Sequence, residues 1–416
     1  MQNILYLSQL LPYPPDAGPK VRIYHVLRYL AERHRVTLVA FIRPDDKPEA
    51  LEHLQKICAE VHTAPMVRSR QRDLKALPAS LVQRKSFIIQ RDRVPEMTAK
   101  VDRLLSSGRF DAVHADQLWM AQYALRSVNL APTVKRVLDE HNACFQIFQR
   151  LAFGERNPLK RAFLEREWRA LKRFEIQANS QFDHVVTVTE QDRQTLEPLV
   201  QLASNASRRP EYSVIPICID PQAVLPAKPQ PGATDILHLG TMFWLPNVEG
   251  VLWFGREVWP QVQARIPEAT FTIVGKNPPN SIKMLNGGGL ASGMKEAGSK
   301  SQVHVTGYVP DPRPFLEQAG VFVVPLHSGS GMRVKILDAW SWGLPVVSTR
   351  VGAEGIHYRD GENILIADSA GQFAQAVVQI LRDSGLAQRL RENGRRWVET
   401  QYNWRTVYEA WDGIYA

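Results

Sequence analysis

A chain of 416 residues, 44% apolar and 22% charged, is too long for one ordinary core and predicts a folded protein of two domains of about 200 residues each. Cys58, Cys144 and Cys218 are far apart and form no CxxC pair, which argues against a disulfide framework or a zinc site and for a reducing compartment. No run reaches the roughly 18 apolar residues of a membrane span, Met1–Gln9 has no basic start of a signal peptide, and a net charge of +9 suits an anionic ligand, an anionic membrane surface or nucleic acid without choosing among them; the expected location is the cytoplasm.

Taken in chain order, short β-rich runs alternate with longer amphipathic ones. Ile4–Leu10 is followed by the helical spacing of Val21–Arg33, and then come Val36–Ile42, Ala112–Leu118, Val134–Glu140 and His184–Thr189. Tyr212–Asp235 is rich in proline and reads as a linker, after which the scheme restarts with Ile236–Thr241, Thr270–Gly275, Val303–Gly307, Val321–Leu326, Pro345–Thr349 and Asn363–Ala367. The expected fold class is therefore α/β, with two doubly wound, Rossmann-like domains in tandem: residues 1–218, a linker at 219–234, a second domain at 235–400 and a terminal segment at 401–416. Ligands of such sheets sit beyond the carboxyl ends of the strands, so the expected site is a cleft between two facing domains. Lys276–Gln302, with three consecutive glycines, predicts a flexible loop. Met66–Arg93 holds eight Arg or Lys against Asp73 and Asp92, interleaved with apolar residues; it reads either as a solvated helical face or as a patch resting on anionic lipid.

The segment Ser328–Asp338, SGSGMRVKILD, carries the clearest chemistry. A turn of small residues opening a helix exposes backbone N–H groups to an anion, and the helix dipole adds positive potential. Arg333 can clamp phosphate oxygens through two parallel hydrogen bonds, Lys335 adds a point charge, and Asp338 can accept from ribose hydroxyls. The plainer alternative is a surface ion pair between Lys335 and Asp338 beside a glycine turn. A dinucleotide site is a weaker rival, because no GxGxxG follows the first strand. In the first half, Gly18 lies at the mouth of the first helix, where close backbone approach to a ligand would explain it. His114 with Asp116, and Glu140 with His141, fall at the carboxyl ends of two strands as either structural or catalytic groups.

The pattern GxGxRxKxLDAxxxGxPVVST over Gly329–Thr349 resembles the retaining GT-B glycosyltransferases of family 4. Gly240–Phe254, Ile273–Gly275, Val305–Asp311 and Gly352–Ile356 add to that likeness, as do AGPKVR, DAVHADQ, DEHNA and VTVTEQD in the first half. The resemblance implies that Arg333 and Lys335 bind a diphosphate and Asp338 the nucleotide ribose. Backbone near Gly275, Tyr308 and Val309 would take the base. Ser330, Gly331, Met332 and Gly18 would meet phosphates and the transferred sugar, with Gly240 beside them and Asp116, His114 and His141 near the reaction. The final helix, around Tyr402–Ala416, would cross back onto the first domain. The chain departs from the family in carrying Ser330 where the first acid of Glu-x7-Glu stands, MFWLPN where many members place a lysine, and Asp116 in place of the second His of HxH.

The activity so implied is transfer of a sugar from a nucleoside diphosphate sugar, UDP before GDP, to a glycan or lipid-linked acceptor with retention of configuration. It needs no cofactor and, since no DxD-like motif adjoins the phosphate segment, no metal. Nucleic acid has no part in it. Peripheral contact with an anionic inner membrane face through residues 66–93 is the further expectation. The alternatives are a UDP-sugar 2-epimerase of the same fold, or an inactive binding protein of a glycan-synthesis complex.

Overall fold

In the computed structural model, seven runs of the first half form strands because apolar side chains cover both faces of each central one. They are β1 (Asn3–Ser8), β2 (Arg35–Ile42), β3 (Glu60–Pro65), β4 (Ala112–Asp116), β5 (Lys135–Glu140), β6 (His184–Thr187) and β7 (Glu211–Val214). Every pair is parallel, in the order β3-β2-β1-β4-β5-β6-β7, with Leu5 opposite both Thr37 and Val113. Along β1, Leu5 and Leu7 enter one core cluster while Ile4 and Tyr6 enter the other, the period-two alternation of a strand buried on both faces. The structure describes residues 1–16, 18–67, 70–83, 85–203, 209–227, 232–242, 244–286, 302–329 and 331–416.

The second half repeats the plan with β8 (Asp235–Leu239), β9 (Thr270–Val274), β10 (Val303–Gly307), β11 (Ala319–Val324), β12 (Val346–Ser348) and β13 (Leu365–Ile366), again all parallel, in the order β10-β9-β8-β11-β12-β13. Met1–Cys218 together with Trp404–Ala416 make one compact unit, and Ile219–Asn403 the other. In each sheet the strand order reverses at one place, between β1 and β4 in the first and between β8 and β11 in the second. Loops leaving the carboxyl ends of the two strands diverge there and open a crevice for ligand.

Glu60–Pro65, absent from the sequence reading, pairs with β2 as the edge strand β3, and three other segments differ from that reading. Glu211–Val214, overlapping the start of the proline-rich stretch Tyr212–Asp235, pairs with β6 as the edge strand β7; its half-exposed residues lack the continuous apolar run that marks the central strands. Lys276–Gln302 contains a short helix, Asn280–Lys283, and its residues 287–301 lie outside the described residues. The chain end is a short helix, Trp404–Val407, followed by a 3-10 turn, Tyr408–Trp411, rather than one helix. Trp404, Tyr408, Trp411 and Tyr415 are buried in the first unit against Tyr6, Tyr29 and neighbouring apolar residues.

Candidate active site

In the second unit, β11 delivers the chain to the turn that precedes the helix Val334–Ser341. Arg333 is 4% exposed, and its guanidinium is held from both within and beyond the turn: Nη1 donates to the Gly331 carbonyl at 2.9 Å, Nη2 lies 3.4 Å from Glu354 Oε2, and the group stacks 5.7 Å over the Trp244 ring. Gly329 makes room for this. A Cβ there would meet Arg333 Nη2 at 2.9 Å and the Trp244 ring at 3.1 Å, and its φ of +121° belongs to glycine.

Lys335 is half-buried, and its Nζ donates to Asn247 Oδ1 at 2.7 Å. Asn247 is itself fixed by donating from Nδ2 to the Thr241 carbonyl at 2.9 Å. Burial first, and then the charge of Arg333, pull the Lys335 ammonium down to about 7, with Asp338 opposing. Burial pushes Asp338 up to about 7 against the pull of Lys335. A half-buried lysine with an amide partner is not the exposed ion pair of the plainer alternative.

The neighbouring strand ends are packed through glycines. Gly240 N donates to the Val274 carbonyl at 3.0 Å, and Gly275 N to the Gly307 carbonyl at 2.9 Å. A Cβ on Gly240 would lie 2.8 Å from both Lys335 Nζ and Asn247 Nδ2, and one on Gly275 would strike the Gly240 carbonyl at 1.9 Å. Tyr308 follows β10 with its ring exposed, Val309 is half-buried, Gly331 has a φ of +78°, and Met332 is buried. Ser330 lies outside the described residues.

In the first unit, a chain of charged groups crosses the carboxyl ends of β4 and β5. Arg22, fully buried on the helix Gly18–Ala31, donates from Nε and Nη2 to Asp139 at 2.6 to 3.0 Å and from Nη1 to the carbonyls of Ile215 and Pro216. His141 Nε2 stands 3.0 Å from Asp116 Oδ1 and 3.7 Å from Asp139 Oδ2. Burial opposes a charge on His141, but the two carboxylates outweigh it and raise the imidazole to about 9, so it is a cation at neutral pH. Asp116, Asp139 and His141 are close enough to hold a metal ion; Arg22 already supplies the positive charge that Asp139 requires.

His114 requires a correction. It lies inside β4 rather than at its end, wholly enclosed, stacked 4.3 Å from Tyr6, with Nδ1 2.7 Å from the Tyr415 hydroxyl. Burial pulls it down to about 4, leaving it neutral. The terminal aromatic residues cover its face, so it is a core residue out of reach of substrate. Glu140 likewise turns inward and accepts from Asn179 Nδ2 at 3.0 Å. Gly18 is half-buried as the first residue of its helix, which sets Arg22 one turn further in. The sequence reading passed over Arg22, Asp139, Asn247, Trp244 and Glu354 as site groups.

Residues 233–383 match the sequence family described as "Glycosyl transferases group 1", and residues 17–210 match the "Glycosyl transferase 4-like domain". A 44.6 kDa protein of the cps region of Klebsiella pneumoniae is 23% identical over 420 residues, spanning 99% of each chain. The lipopolysaccharide core biosynthesis glycosyltransferase LpsE of Rhizobium meliloti is 36% identical over 118 residues, 28% of this chain and 34% of its own length. Among solved structures, Anabaena Alr3699/HepE in complex with UDP and glucose superposes with a TM-score of 0.67 at 13% identity, covering 100% of this chain and 99% of that one.

Proposed function

For this chain, which belongs to the group 1, family 4 glycosyltransferases and has the GT-B fold, we propose transfer of a sugar from a UDP-sugar to a glycan or lipid-linked acceptor, with retention of configuration and without a metal ion. The observation that carries this reading is the pair of cations, Arg333 and Lys335, held in place at the carboxyl end of β11 by Glu354, the Gly331 carbonyl and Asn247.

As the C1–O bond to the diphosphate breaks, negative charge gathers on the leaving phosphate. Groups fixed beforehand stabilise that charge more than they stabilise the bound substrate. Arg333 meets two phosphate oxygens, Lys335 adds a point charge, and the positive end of the helix Val334–Ser341 completes the anion site. The acceptor oxygen bonds to C1 on the face the diphosphate leaves, and its proton passes to a phosphate oxygen, which balances the step without a protein nucleophile. Asp338 takes ribose hydroxyls, and backbone around Gly275, Tyr308 and Val309 takes the base. On the first unit, Asp116 and the cationic His141 serve the acceptor side, and Gly18 meets the transferred sugar.

UDP as the nucleotide is supported by the HepE complex, and a glycan product by the lipopolysaccharide role of LpsE. Replacing Arg333 and Lys335 together with Ala should abolish transfer and the thermal shift produced by UDP, with the circular dichroism spectrum unchanged. Transfer near the wild-type rate would refute the diphosphate role. A sugar product formed without any acceptor would favour the epimerase.

A further inference from the structure

Beside the carboxylates that Arg22 and His141 neutralise, the end of β5 carries a second buried cluster. Glu140 ends the strand, Cys144 opens the helix Cys144–Gly154, and Glu175 reaches them from the helix Pro158–Asn179. All three are buried, the glutamates at 0% exposure, and one ligand atom from each lies within 4.8 Å of the others. Cysteine spacing alone could not show the grouping, because Glu175 stands 31 residues beyond Cys144 and the third member is a glutamate.

The two carboxylates are surrounded by neutral donors. Glu175 accepts from the N–H groups of Cys144 and Phe145 at 2.7 and 2.9 Å, and Glu140 Oε1 accepts from Asn179 Nδ2 at 3.0 Å, while Glu140 Oε2 is buried without a hydrogen bond. Among the described residues neither glutamate forms an ion pair, and the nearby His141 imidazolium is engaged by Asp116 and Asp139. Burial pushes Glu175 up to about 8 against the pull of its two N–H bonds, and burial followed by the charge of Glu175 raises Glu140 and Cys144 well above their ordinary values. Two carboxyl groups and a thiol so enclosed must either keep protons or share a cation. Protons fit the hydrogen bonds poorly. Glu175 uses both oxygens as acceptors, the arrangement of an anion, and no O–H···O bond joins the two glutamates.

A thiolate beside carboxylates suits a borderline-soft dication and not Ca²⁺ or Mg²⁺, which take oxygen ligands. Tetrahedral bonds to zinc of about 2.3 Å for sulfur and about 2.0 Å for oxygen put ligand atoms about 3.5 Å apart, so the side chains need close by only about an ångström. We propose that Glu140, Cys144 and Glu175 bind one Zn²⁺ ion, with water completing the tetrahedron. Binding releases the thiol proton and the carboxyl protons to solvent. The ion ties the end of β5 to the two helices and takes no part in sugar transfer. The site lies within the first unit and stands whether or not the donor reading does.

The test is titration of the full chain, dialysed against a chelator, with Co²⁺, whose bond to a thiolate gives a near-ultraviolet charge-transfer band. The wild type and the double variant Cys58→Ser with Cys218→Ser should develop the band with one equivalent of Co²⁺, and Zn²⁺ should abolish it. Cys144→Ser should show no band. Glu140→Gln, whose amide oxygen can still accept from Asn179, should bind at least about tenfold more weakly. Unchanged circular dichroism confirms that each variant folds. A folded wild type without the band overturns the proposal, as does an equal band in Cys144→Ser or undiminished binding by Glu140→Gln. An unfolding midpoint for Glu140→Gln above that of the wild type, with Co²⁺ bound by neither, assigns the cluster to protons instead.

Discussion

Glu167 and Glu175 stand eight residues apart on the helix Pro158–Asn179, and each closes the amino end of a different short helix. Glu167 accepts from the Ser86 hydroxyl and from the N–H groups of Phe87 and Ile88, at 2.5 to 3.1 Å. Glu175 accepts from the N–H groups of Cys144 and Phe145 at 2.7 and 2.9 Å. The first N–H groups of a helix have no partner within it, and a buried one left unpaired is costly. One long helix thereby fixes the starts of both shorter helices. Glu167→Ala should cost about 1–3 kcal/mol in urea unfolding. It should raise hydrogen exchange at Phe87–Ile89 but not at Cys144–Phe145, and Glu175→Ala should do the reverse; matching exchange patterns in the two variants would contradict the division.

Asn247 gives Lys335 a neutral partner. An aspartate there would place a carboxylate where the amide oxygen now stands, 2.7 Å from the ammonium, and would compete with the phosphate for that charge. Asn247→Asp should weaken UDP binding about tenfold, a loss of about 1.4 kcal/mol, by titration calorimetry. Undiminished binding would remove Asn247 from the donor site.

Because burial and Arg333 bring Lys335 down to about 7, its positive charge is fading at neutral pH. A UDP-sugar keeps a constant diphosphate charge around neutrality, so its affinity should fall as pH rises from 7 to 9. Lys335→Arg, which stays charged, should flatten that profile. A wild-type profile as flat as the variant's would show that the ammonium is not titrating there.

The His141 imidazole runs in the opposite sense. Its folded value of about 9 lies above the ordinary 6.5, so the stability it contributes is fully present below pH 6.5 and lost as pH rises through 9. The difference in unfolding free energy between wild type and His141→Gln should shrink over that window by up to about 3 kcal/mol. A pH-independent difference would mean that His141 is not held as a cation.

Local pattern made much of the fold legible. Runs such as VTLVAFI and VFVVPL become central parallel strands because both faces are covered. The edge strands EVHTAP and EYSV escaped notice because half-exposed residues interrupt the apolar run. The turn SGSGMRVK was recognisable from small residues ahead of paired cations, a feature of adjacent positions.

The partners were not legible. Arg22 reads as an ordinary helical base, yet it is wholly buried because Asp139 and the Ile215 carbonyl, 117 and 193 residues away, satisfy it. His114 reads as a strand-end catalyst, yet Tyr415, 301 residues on, encloses it. The sequence by itself determined the order of strands and helices and the cationic turn, since these follow from backbone periodicity over a few residues. Only the tertiary structure decided which polar groups meet, because burial and charge depend on neighbours that the chain brings together from far apart.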